Sequence, residues 1–176
     1  MAIVGLASQE IVAVALGDGS VVWRRANAGR PIAASPSHLL SFVAQGYELR
    51  SMADGELIAR LIEAGLPDPE DLTEVNVGDT PEGPAIAWTG LSRHRGGAVP
   101  PFSRAAPTPR SQAIVLDLAK GDVKPATAPV ECQPENTPVM LSLAGAVLEA
   151  REISGTLRWA TPLGGAPRSR PTPLPQ

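Results

Sequence analysis

The chain begins with short apolar runs separated by polar turns. After Glu10, the stretch through Leu16 is apolar and rich in β-branched side chains, and Val21, Val22 and Trp23 continue that character beyond Gly17, Asp18, Gly19 and Ser20. An Asp-Gly pair supplies the positive φ that a tight turn between twisted strands needs, so this stretch predicts a β-hairpin, with a short strand at Ile3 and Val4 before it. A different period follows. Ser35 and Pro36 read as a cap with proline in the first helical turn, and Leu39, Leu40 and Val43 form a stripe that Gly46 ends. Ser51 and Asp54 stand at capping-box spacing ahead of Leu57, Ile58, Leu61 and Ile62, which share one helical face, and Gly65 with Pro67 closes the run. Two helices within residues 36–64 are therefore expected, the second over about 52–64. Glu56 and Arg60 are spaced to pair across one turn of it.

Beyond residue 72 the pattern returns to strands. Residues 73–77, 85–89, 112–118, 139–143 and 156–160 each read as a strand, and 146–153 fits strand or helix equally. The expected fold class is mixed α/β (α+β): a mostly antiparallel sheet with two helices on one face, long Pro/Gly-rich loops and a Pro-rich C-terminal tail. The division expected is one globular domain over residues 1–160 and a tail over 161–176. Proline lacks the amide donor of a central strand, so the tail is expected to be polyproline-like unless a surface holds it.

Composition sharpens this picture. Nineteen prolines and 17 glycines in 176 residues, with aromatic residues at only 3%, leave a core built from Leu, Ile and Val. A net charge of −3 argues against a wholly basic nucleic-acid-binding surface. Gln9 and Glu10 interrupt the apolar start and no basic residue precedes Arg24, so no signal peptide is expected. No apolar run is long enough for a transmembrane segment. The expected location is cytoplasmic or in a virion.

No catalytic signature stands out. His38 and His94 are the only histidines, and no nucleophile-elbow or Ser-x-x-Lys motif occurs. Cys132 has Glu131 beside it, which raises a thiol pKa, and one cysteine with two distant histidines lacks zinc-ligand spacing. No metal and no cofactor is expected. Residues 3–25 resemble the opening strand–turn–strand of the actin-like ATPase superfamily. Here, however, the turn reads Gly5, Leu6, Ala7, Ser8, Gln9, without the acid that the family places there, and the chain is too short for both lobes.

The most distinctive charge feature lies between Gly90 and Ser111, a stretch with no acid and no convincing period that holds Arg93, Arg95, Arg104 and Arg110. Unstructured connections of this length tend to serve function. The residues expected to bind partners are Arg93, His94, Arg95, Phe102, Arg104 and Arg110 in this loop, with Arg168 and Arg170 in the tail. The reading that follows is a non-enzymatic structural or interaction subunit of a larger assembly, such as a bacteriophage virion, contacting other protein subunits in a homo- or hetero-oligomer. One alternative is a small enzyme or binding protein for an anionic substrate, built on Arg93, His94 and Arg95 with Asp117 or Glu131. Another is a nucleic-acid accessory module using the same loop. One aromatic, Phe102, supports little base stacking, so nucleic acid is possible but not favoured; a membrane is not expected.

Overall fold

Asp18-Gly19 forms the hairpin turn its sequence predicts, and so does Asp54-Gly55. Asp18 Oδ1 accepts from the Ser20 amide at 2.9 Å, and Asp54 Oδ1 accepts from the Glu56 amide at 3.0 Å. Gly19 and Gly55 take φ of +77° and +75°. The second pair therefore closes a hairpin where a helix start was expected. A computed structural model describes residues 1–62, 64–90, 110–118, 122–126, 139–168 and 172–173, and it contains no helix among them.

The two expected helices are corrected to three strands, β5 (His38–Val43), β6 (Gly46–Ser51) and β7 (Leu57–Leu61). The capping residues serve turns instead: Ser35 Oγ accepts from the His38 amide at 3.0 Å, and Gly46, at φ +125°, turns β5 into β6. Glu56 does not reach Arg60. It pairs with Arg25, while Arg60 Nε lies 3.4 Å from Glu48 Oε1. Among the described residues the fold is all-β, not α+β.

The strands form four consecutive meanders, which we call blades. Blade 1 holds β1 (Ala2–Gly5), β2 (Ile11–Val14) and β3 (Val21–Arg25). Blade 2 is β4 (Arg30–Ala34) followed by β5, β6 and β7. Blade 3 is β8 (Leu72–Thr80), β9 (Gly83–Gly90), β10 (Arg110–Asp117) and β11 (Asp122–Pro125). Blade 4 is β12 (Val139–Ala144), β13 (Val147–Glu152) and β14 (Leu157–Pro162). The last strand, β15 (Thr172–Pro173), returns to pair with β1 and gives blade 1 its fourth strand. Every strand pair is antiparallel. Prolines are tolerated at β15 because it is an edge strand, with hydrogen-bonded neighbours on one side only.

Sheets with two faces to bury stack on one another. One face of blade 1 (Val4, Val12, Val14) meets Leu148, Ala150 and Trp159 of blade 4. Its other face (Ile3, Ile11, Ala13, Trp23) meets Leu39 and Met52 of blade 2. The far side of blade 2 (Leu40, Tyr47, Leu49) meets Val77, Ile86 and Trp88 of blade 3. The blades thus pack in the order 4–1–2–3, and a C-terminal strand completes the first. This is the plan of a β-propeller, with three of the four contacts that a four-bladed ring requires present among the described residues.

Tryptophans fasten two of these contacts in the same way. Trp159 Nε1 of blade 4 donates to the Leu16 carbonyl of blade 1 at 2.8 Å, and Trp23 Nε1 of blade 1 donates to the Met52 carbonyl of blade 2 at 2.8 Å. Both acceptors open the turn between the last two strands of the next blade. Each indole lies on that turn's glycine: a Cβ added to Gly19 would stand 2.7 Å from Trp159, and one added to Gly55 would stand 2.8 Å from Trp23.

Candidate functional site

In an antiparallel meander the second-to-third-strand turn and the connection to the next blade fall at one end; the other turns fall at the opposite end. The Asp-Gly turns and their tryptophans occupy the second of these ends. At the first lies an open cleft of about 640 Å³, and everything lining it comes from that end. Gln9 is in the β1–β2 turn. Phe42, Val43 and Ala44 approach the β5–β6 turn. Gly29 and Arg30 lead into β4, Asp68, Pro69 and Glu70 lead toward β8, and Arg168 lies on the return to β15.

Local geometry sets these positions. Gln9 has φ of +64°, a left-handed conformation uncommon for a non-glycine residue, and its carbonyl accepts from the Gly29 amide at 3.0 Å. Gly29, at φ +79°, packs so closely on Phe42 that a Cβ would fall 2.2 Å from the Phe42 carbonyl oxygen. The Phe42 and Tyr47 rings meet edge to face with centroids 5.0 Å apart, and Tyr47 Oη donates to the Pro67 carbonyl at 2.6 Å, which anchors the 68–70 wall. Burial, and then the negative charge of Asp68, push the Tyr47 hydroxyl up to about 12 against the opposing pull of Arg30. Arg168 is placed by its backbone, whose amide donates to the Gly5 carbonyl at 2.8 Å beside the Leu6–Pro167 bridge.

The charges of the cleft are unusual in this molecule. Arg24, Arg25, Arg50, Arg60, Lys124 and Arg151 each have a carboxylate within 4 Å. Among the described residues, half-buried Arg30 and exposed Arg168 have none, and neither do Asp68 and Glu70. Arg158, on outer strand β14, is the other described cation of this kind. Two guanidiniums without a carboxylate partner thus line one groove, and two carboxylates without a cation partner line it with them. Guanidiniums so placed bind carboxylates or phosphates through paired hydrogen bonds.

Of the residues expected to bind partners, Arg168 lies in this cleft. Arg110 begins β10 opposite Gly90, and its backbone is all that is described of it. Arg93, His94, Arg95, Phe102, Arg104 and Arg170 lie outside the described residues, as do Cys132 and Glu131. Gly90 and Arg110, the two feet of the arginine-rich stretch, sit at the cleft-bearing end of blade 3. Gly90 packs on the chain leading from the cleft wall, where a Cβ would come within 3.0 Å of the Asp71 carbonyl oxygen and 3.4 Å of Pro67. Asp117, assigned to the anionic-substrate alternative, is on β10 with Lys124 Nζ 3.5 Å away, apart from the cleft. His38 Nδ1 lies 2.9 Å from Asp79 Oδ1 at the contact of blades 2 and 3, without hydrogen-bond geometry. Arg30, Asp68 and Glu70 carry no local sequence signal; only the topology gathers them.

Among the described residues no cluster of three His, Cys, Asp or Glu side chains has metal-binding geometry, and no helix is long and apolar enough to cross a membrane. No known protein-family profile matches the chain, and comparison with curated proteins finds no similar sequence.

Proposed function

We propose that this protein is a non-enzymatic interaction subunit that holds an acidic segment of a partner protein in the cleft between blades 1 and 2. The observation that carries the reading is the pair of partnerless arginines, Arg30 and Arg168, on a groove whose other charges are also unpaired. Half of the lining residues are exposed, so the groove is open to solvent. Such a shape suits a chain laid across it better than a small substrate, which a binding site usually encloses. Asp68 and Glu70, which also line the groove, favour a partner segment that carries a basic residue beside its acidic ones. Gly90 and Arg110, which bound the arginine-rich stretch of the sequence, stand at the same end of the molecule as the cleft.

The test uses a fluorescein-labelled ten-residue peptide of alternating Glu and Ser, followed by anisotropy at low salt. Saturable binding is expected, weakened by added salt and lost in the Arg30→Ala/Arg168→Ala double variant. Equal binding by the double variant would overturn the reading. So would a preference for citrate or for a short DNA duplex over the peptide; the first outcome favours a small anionic ligand, the second a nucleic acid.

A further inference from the structure

The face that blade 2 presents to blade 1 recurs on blade 4. On blade 2, Leu39 stands opposite Arg50, and Arg50 stands opposite Leu57. Arg50 pairs with Glu48 and donates to the Gly55 carbonyl at 3.2 Å. On blade 4, Met140 stands opposite Arg151, and Arg151 stands opposite Leu157. Arg151 Nη2 lies 3.0 Å from Glu149 Oε2, and Nη1 donates to the Gly155 carbonyl at 3.1 Å. Gly155 turns at φ +90° as Gly55 turns at +75°. Met52 opens the turn in blade 2 and Ile153 opens it in blade 4.

The two faces differ in what covers them. Trp23 of blade 1 lies over the first, where Leu39 is fully buried and Met52 is 1% exposed. On blade 4, Ile153 is 80% exposed and Met140 60%, and a Cβ at Gly155 would meet nothing within 4 Å. The reason is in the preceding blade. Lys124 of blade 3, third in its strand and opposite Val115, occupies the position that Trp23 holds in blade 1 and Trp159 in blade 4, and lysine has no indole ring to lay on a turn.

We infer that this face of blade 4 is a second docking surface, for a β-strand of another protein that presents a tryptophan. The surface continues the row of blade contacts 4–1–2–3 from its open side, and the chain itself shows twice what such a turn accepts. The incoming indole would lie on Gly155 and Ile153 and donate to the Ile153 carbonyl. A donor two residues after the tryptophan would follow the pattern of Trp159 with Thr161, whose hydroxyl donates to the Gly19 carbonyl, and of Trp23 with Arg25, which pairs with Glu56. Tryptophan is the side chain most often dominant in such contacts.

The test is independent of the cleft. A disulfide-closed hairpin peptide with the sequence of residues 11–25 is titrated into the full-length 15N-labelled protein. Saturable shifts are expected at Ile153, Gly155 and Met140, with affinity at least tenfold weaker when the peptide's tryptophan is alanine. The Ile153→Asp variant, altered at an exposed site, should bind at least tenfold more weakly with the rest of its spectrum unchanged. No shift at these residues up to millimolar peptide would overturn the inference, as would an equal response to the alanine peptide or shifts confined to Met52.

Discussion

The two ends of the blades are built on opposite rules. At the Asp-Gly end of blades 1 and 2, indole N–H groups meet carbonyls, Asp18 and Asp54 cap their own turns, and Leu16 and Met52 are buried under tryptophan. At the cleft end, Arg30, Arg168, Asp68 and Glu70 face the groove without protein partners, and Gln9 holds a left-handed backbone. The first arrangement joins blade to blade. The second leaves charge for something else. The difference teaches that fastening and the recognition proposed for the cleft occupy separate ends, so changes at one should leave the other's property intact.

The largest expected effect is at the fastened end. Trp23→Ala removes a buried ring and the donor to the Met52 carbonyl, and should cost about 3–5 kcal/mol in urea unfolding. Binding of the acidic peptide should persist while the protein remains folded. Gly55→Ala and Gly155→Ala form a sharper pair, because both glycines turn at positive φ and only Gly55 lies under an indole. The Gly155 change should cost about 1 kcal/mol of backbone strain. The Gly55 change should cost about 3 kcal/mol, as the clash with Trp23 adds to that strain. Equal losses would remove the tryptophan from the account.

Next in size is a pH effect beside the cleft. Tyr47 has its pKa raised from 10.0 to about 12, chiefly by burial. The stability gained by keeping the phenol neutral is whole below pH 10 and is lost as pH rises through 12. That loss should be on the order of 2 kcal/mol. Tyr47→Phe should flatten the decline across that window, at a constant cost of about 1 kcal/mol for the hydrogen bond to Pro67. The smallest stability effect belongs to the arginines. Arg30→Ala and Arg168→Ala break no ion pair and should each shift stability by less than about 0.5 kcal/mol, while together they abolish peptide binding.

The hairpin at Asp18-Gly19 was legible because its flanks are short, β-branched apolar runs with no competing helical period. Asp54-Gly55 carries the same signal, but Leu57, Ile58, Leu61 and Ile62 also satisfy a helical period, and Ser51 ahead of Asp54 imitates a cap. Local pattern could not separate the two readings; pairing with Tyr47–Arg50 across the sheet decides for the strand. The fourfold repeat was hidden for a related reason. Trp23 and Trp159 occupy equivalent positions, but Ala59 and Lys124 replace them in blades 2 and 3, and the Arg93–Arg110 stretch breaks the spacing. The tail was expected to remain extended unless a surface held it. The chain's own first sheet is that surface, through Pro167, Arg168 and Thr172–Pro173. Of the cleft, Arg168 was singled out in sequence. Arg30, Asp68 and Glu70 were not, since isolated surface charges have no periodicity to betray them.

The division of labour between the two ends is tested most directly by mapping the acidic peptide onto the 15N spectrum of the full-length protein. The account predicts saturable shifts at Gln9, Gly29, Val43, Glu70 and Arg168, with Gly19 and Gly55 unmoved. Shifts gathered on the Asp-Gly turns, or none that saturate at the cleft, would contradict it.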